Sequence, residues 1–153
     1  MSYVSSLFHV VFSTNRRQPV LNQENLHHLY AVIASEIKSE KCRPIIINGT
    51  NDHIHILLVL HQSVALSHLM RVIKSKSSIW AKSSIWAKSS GLFPLFNGWE
   101  KEYGAFSISN VHKEAVYRYI EAQKTHHAAT PYDDEYKRLI VKAGLTYYMP
   151  ERL

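Results

Sequence analysis

Asp52-His53-Ile54-His55-Ile56-Leu57-Leu58-Val59-Leu60 reads as a β-strand, a short apolar run that follows the turn residues Asn48-Gly49-Thr50-Asn51. Side chains alternate faces along a strand. His53 and His55 therefore share one face, and Ile54 enters the core on the other. Two neutral imidazoles side by side can hold a divalent metal. Alone the pattern is weak, because paired strand histidines are commonly just half-exposed. A closed zinc site would need further soft ligands, and Cys42 is the only thiol.

The flanking segments supply the rest of the fold. Val4 to Ser13 is a first strand, ended by Thr14-Asn15-Arg16-Arg17. Asn22 can cap a helix from about Gln23 to Lys41, with Leu26, Leu29, Tyr30, Ile33 and Ile37 at helical spacing. Pro44 to Asn48 is a second strand, and Asp52 to Leu60 the third. A second helix follows Ser63, with Leu66, Leu69, Met70 and Ile73 on its apolar face. Tyr103 to Ser109 is a fourth strand, and a third helix runs from about Lys113 to His127, stopped by Pro131. Asp133 to Lys142 forms a short last helix. The order β-α-β-β-α-β predicts an α+β fold of ferredoxin-like type, one antiparallel sheet with two helices on one face. The third helix lies outside that repeat. The expected organisation is a single domain over 1–153, with a core of about 1–130 and a helical tail of about 131–153.

Composition narrows the class. The chain has 153 residues, with 46% hydrophobic and 20% charged, which is globular and not disordered. One cysteine excludes an internal disulfide framework. No apolar run reaches the ~20 residues a membrane span needs, and the N-terminus lacks a signal pattern, so a cytoplasmic location is expected. The net charge is +6, and from His53 to Trp99 there is no Asp or Glu, while Arg71, Lys74, Lys76, Lys82 and Lys88 fall in that stretch. Such an excess fits either a polyanion partner or a solvated basic face. Ser77-Ser78-Ile79-Trp80-Ala81-Lys82 recurs as Ser83-Ser84-Ile85-Trp86-Ala87-Lys88, read here as a tandem duplication near the loop that follows the second helix. Six residues turn a helix by about 240°, so Trp80 and Trp86 cannot share one face of a straight helix.

The third helix adds to the histidine pair. Tyr119 and Gln123 are four residues apart and lie on one helical face. Gln123 can offer an amide oxygen to a hard cation, with the Tyr119 hydroxyl beside it. Tyr117 is two residues from Tyr119, about 200° round the helix, so the two cannot face the same site.

With these motifs the chain resembles the HUH single-tyrosine transposases of small bacterial insertion sequences and their domesticated REP-associated relatives. The likeness rests on Phe8-His9-Val10-Val11-Phe12-Ser13-Thr14-Asn15-Arg16-Arg17, Asn51-Asp52-His53-Ile54-His55-Ile56-Leu57, Trp99 to Ser109, and Tyr119 to His127. It departs where Glu100 stands for a more usual Gln, where Glu102 stands for a Gly, and in the duplicated hexapeptide. The resemblance implies cleavage and rejoining of single-stranded DNA at hairpin-containing ends. Tyr119 would attack the scissile phosphate to leave a 5′-phosphotyrosine link and a free 3′-hydroxyl. His53, His55 and Gln123 would hold a divalent cation, Mg²⁺ in the cell with Mn²⁺ also suited. Arg16, Arg17, Arg71, Lys74 and Lys76 would meet DNA phosphates. Family members are dimers, so a homodimer is expected, with Tyr119 acting in cis or in trans. Two other readings stay open: a relative that binds single-stranded DNA but is domesticated or inactive, and a His-x-His phosphoesterase using water.

Overall fold

The structure is a computed structural model that describes residues 2–83, 92–126 and 130–145. Four strands form one antiparallel sheet: β1 (Leu7–Ser13), β2 (Arg43–Gly49), β3 (His53–Val59) and β4 (Gly104–Ile108). Their spatial order is β2-β3-β1-β4, the split βαβ arrangement of the ferredoxin-like fold. Helix α1 (Leu26–Ser39) joins β1 to β2, and α2 (Leu66–Ser83) leads from β3 toward β4.

Strand alternation sorts the sheet into two faces. Opposite Ile54 of β3 stands Phe12 of β1, and opposite Ile56 stands Val10. These four, with Leu58, face α1 and α2 and pack against Leu29, Ile33, Leu69 and Ile73 in the main core. Truncating a fully buried isoleucine such as Ile54 costs about 2–5 kcal/mol. The other face carries His9, Val11, His53 and His55, with Val11 opposite His55 and Phe106 of β4 opposite His9. That face is covered by C-terminal helices: α3 (Lys113–Glu121), the short α4 (Gln123–His126) and α5 (Tyr132–Lys142). Tyr132 and Tyr136 of α5 pack on Val11 and Phe106 in a second, smaller core. The last helix is thus seated on the sheet.

Several expected boundaries move. β1 begins at Leu7, not Val4. Asn22 does cap, its Oδ1 accepting from Glu24 N at 3.1 Å, but the first turn it caps is a 3-10 turn, and α1 proper starts at Leu26. Gly49 stays in β2, where a Cβ would lie 2.3 Å from the His53 carbonyl oxygen; the hairpin closes that tightly only around glycine. The continuous third helix expected from Lys113 to His127 is interrupted at Ala122. The first copy of the hexapeptide belongs to the body of α2 rather than to a loop. Ser77 and Ala81, four residues apart, are both buried, and Trp80 packs on the core. Most of the second copy, with Trp86 and Lys88, lies outside the described residues, as does His127.

Candidate metal and tyrosine site

The period-two pattern of β3 sets His53 and His55 side by side on the face away from α1 and α2, both with 0% exposure. Each ring has its Nδ1 engaged. His53 Nδ1 donates to Asp52 Oδ1 at 2.7 Å, and Thr50 Oγ1, itself a donor to that carboxylate, lies 3.0 Å away. His55 Nδ1 is 2.8 Å from His9 Nε2. Burial, and then the neighbouring His55, push the His9 pKa down to about 3 against the pull of Glu135, so His9 is a neutral ring. Holding Nδ1 this way turns the Nε2 lone pair of a ligand histidine toward a common point.

Both Nε2 atoms meet a residue that the sequence did not single out. Glu135 of α5 places Oε1 2.7 Å from His55 Nε2 and 3.6 Å from His53 Nε2. It is 2% exposed. Its Oε2 accepts from the Tyr119 hydroxyl at 2.6 Å and from Gln123 Nε2 at 3.3 Å. Gln123 Oε1 lies 3.3 Å from His53 Nε2. Tyr119, His53, His55 and Gln123 are therefore brought together, with Glu135 at their centre. Tyr132 stacks on His53 at 4.4 Å, closing the far side.

The helix break decides how α3 and α4 present these groups. Asn48 of β2, on the same sheet face as His55, donates Nδ2 to the carbonyls of Ile120 at 2.8 Å and Glu121 at 3.1 Å. These carbonyls lie in the last turn of α3, where backbone acceptors run short of helical donors. Tyr119 and Gln123 face the cluster from either side of that break. Ile120 is fully buried beneath it, and Tyr117 is 37% exposed, on the outside of α3.

His53, His55 and Glu135 offer donor atoms within 4.8 Å of one another, a set that could hold a metal ion. Two oriented imidazole nitrogens, a carboxylate and a nearby amide oxygen suit a divalent cation of intermediate hardness. Burial raises the Tyr119 hydroxyl well above its ordinary pKa, and its bond to Glu135 raises it further, while Gln123 and Arg138 act the other way. Unassisted, this tyrosine is protonated near neutrality, so any nucleophilic role needs added positive charge or a proton acceptor.

The expected phosphate contacts scatter. Arg17 lies near the site: its guanidinium pairs with Asp133 and sits 5.5 Å over the Tyr132 ring. Arg16 is exposed, in a left-handed turn at φ 55°, and its backbone N–H donates to Glu100 Oε1. Arg71, Lys74 and Lys76 stand on α2, across the sheet from the histidines. The Lys74 ammonium donates to the carbonyls of Glu100 at 2.5 Å and Lys101 at 2.9 Å, a tie that holds the segment before β4.

The one signal for Glu135 lay in spacing. Tyr132, Glu135, Tyr136 and Leu139 fall on one helical stripe, and an acid within an apolar stripe is an acid aimed inward.

Fold and cluster define the class: a ferredoxin-like α+β protein with a buried His-His-Glu cluster able to hold a metal ion. The family model of IS200-like transposases matches residues 2–123, and the chain belongs to that family. Among solved structures it is similar to a candidate transposase from Deinococcus radiodurans, at 20% identity over 80% of this chain and 95% of that one, with a TM-score of 0.60. It is also similar to a REP-associated tyrosine transposase bound to a REP hairpin, at 16% identity over 100% of this chain and 91% of the other, with a TM-score of 0.57. No curated protein matches the chain. Among the described residues, no helix is long and apolar enough to cross a membrane.

Proposed function

We propose that this chain, acting as a single domain over 1–153, cleaves and rejoins single-stranded DNA at hairpin-bearing ends through a 5′-phosphotyrosine on Tyr119. The observation that carries the proposal is the hydrogen bond from the Tyr119 hydroxyl to Glu135, whose other oxygen meets His55. A nucleophile, a proton acceptor and a candidate metal cluster are joined in one buried network. His53, His55 and Glu135, with Gln123 alongside, would hold the cation, Mg²⁺ or Mn²⁺. When bound, it supplies positive charge that favours the phenolate and the charge developing on the phosphate.

The chain's own residues carry the remaining steps. Tyr119 Oη attacks the scissile phosphorus, and its proton passes along the existing hydrogen bond to Glu135 Oε2. The P–O3′ bond breaks, and the leaving oxygen takes up a proton to become a 3′-hydroxyl. One phosphoester replaces another, so rejoining to a second 3′-hydroxyl needs no external energy source. Asp52 and His9 hold the two ligand histidines in orientation. Tyr119 reaches Glu135 within one chain, which supports attack in cis, and a homodimer is expected as the assembly. Arg16, Arg17, Arg71 and Lys76 remain assigned to DNA phosphates on charge, with Lys74 given mainly to backbone carbonyls.

The test uses a labelled single strand that carries a hairpin from the DNA flanking the gene, incubated with protein and Mn²⁺ or Mg²⁺. A covalent protein–DNA band that survives denaturation is expected, lost in Tyr119→Phe and lost on chelation. Cleavage without such a band would instead assign the site to a phosphoesterase that uses water. Binding without cleavage would point to an inactive DNA-binding relative.

A further inference from the structure

Beside Tyr119 opens a cleft of about 700 Å³, between β4, α3 and α5. Its construction is regular. One wall is a single stripe of α3, where Ala115, Val116 and Tyr119 follow at helical spacing. The facing wall is a single stripe of α5: Glu135, Arg138, Leu139 and Lys142, at i, i+3, i+4 and i+7. The floor is Phe106 and Ile108. The inner end is the catalytic cluster, since Tyr119, Glu135 and His9 all line it. The outer end is cationic. Arg138 and Lys142 are exposed, and neither makes an ion pair among the described residues. Arg138 is close enough for its charge to oppose the rise in the Tyr119 pKa that burial and Glu135 cause.

An apolar slot with one reactive end and one cationic end has the form of a nucleotide site. The volume falls within the range of about 300–1,000 Å³ typical of small-ligand sites. The apolar floor and α3 wall, with Leu139 opposite, suit the flat face of a base or a deoxyribose, and the cations of the α5 wall suit the flanking phosphate. We propose that the cleft seats the nucleotide next to the scissile phosphate of single-stranded DNA, with Arg138 and Lys142 holding the strand's backbone. The proposal rests on the function proposed above and adds a site to it. The slot lies between two helices, and an unpaired nucleotide of the strand occupies it.

Three measurements on the full chain test this. The first uses Tyr119→Phe protein, which cannot cut, and fluorescence anisotropy with the labelled hairpin-bearing strand. Adding Arg138→Glu and Lys142→Glu together should weaken binding about tenfold or more, and lower the slope of log K against log salt by about 1.4, the value for two phosphate contacts to a single strand. Lys38→Glu, an exposed cation on α1 across the sheet, should change neither. The second is location. Val116→Cys, in a chain whose Cys42 is buried, should form a disulfide with a strand carrying a thiol-tethered base next to the cleaved phosphate, and not with one carrying it six nucleotides away. Thermal melts, with Arg138→Ala and Lys142→Ala beside the charge reversals, separate lost contacts from lost folding. Unchanged affinity, or a disulfide that ignores position, would overturn the cleft. If wild-type protein still forms its adduct in that case, the transposase chemistry stands and the cleft alone falls. If wild-type protein neither binds the strand nor forms an adduct, both fall.

Discussion

Glu135 meets the site through two oxygens with different partners. Oε1 faces the histidines, and Oε2 faces Tyr119 and Gln123. Glu135→Gln keeps the volume and removes the charge. It should weaken Mn²⁺ binding by at least the 10–100-fold that cluster-supporting residues typically carry, about 1.4–2.7 kcal/mol, measured by calorimetry on the full chain. Unchanged Mn²⁺ affinity would remove the glutamate from the ligand set. His9 acts through His55 and touches no metal in this arrangement. His9→Phe should lower Mn²⁺ affinity within the same range while leaving the sheet intact, and His9→Gln, which retains a polar side chain, should recover part of it. Equal losses in both variants would mean that His9 only packs. Tyr30, on α1, gives a pH-dependent signature remote from the cluster. Burial pushes its hydroxyl up to about 12, against a backbone bond from Gly49. The unfolded chain releases that proton near 10, so folding stability falls as pH rises between about 10 and 12. Urea melts should show Tyr30→Phe losing stability less steeply across that window than wild type. Parallel losses would show that the hydroxyl is not buried as described.

At the scale of elements, α3 and α4 serve one point across the interruption after Glu121. Asn48 pins it by donating to two helix-end carbonyls while its own Oδ1 accepts from the Tyr30 hydroxyl at 3.3 Å. Asn48→Ala leaves both carbonyls to water and frees the helix end. The expected cost is about 1–3 kcal/mol in a denaturant melt, with a larger proportional loss of adduct formation than of DNA binding. Equal losses in the two would argue that Asn48 supports the fold alone. The same element shows where sequence periodicity reaches its limit. Tyr119 and Gln123 are four apart, and a continuous helix would set them on one face. They do converge, but across a break whose cause lies on β2, more than seventy residues earlier in the chain.

At the scale of the molecule, the sheet divides two tasks. Its α1–α2 face is an apolar core, and its other face carries the buried His53–His55–Glu135 cluster under α3, α4 and α5. A chain ended after Thr130 should lose Glu135 from the cluster and expose Val11 and Phe106, lowering the melting temperature and abolishing measurable Mn²⁺ binding together. Retained binding would return the metal to His53, His55 and Gln123 alone. What the amino-acid sequence determined by itself was local and periodic: the strand alternation that aligns His53 with His55, the β-α-β-β-α-β order, and the face shared by Tyr119 and Gln123. Those follow from fixed repeats of two and 3.6 residues. What only the tertiary structure decided was which distant groups complete the site. Glu135 reaches His55 across eighty residues, His9 backs it from a neighbouring strand, and Asn48 ends the tyrosine's helix from the sheet edge. No local repeat encodes such contacts. They arise when sheet order and helix packing bring separate segments into one buried volume, where every polar group must find a partner.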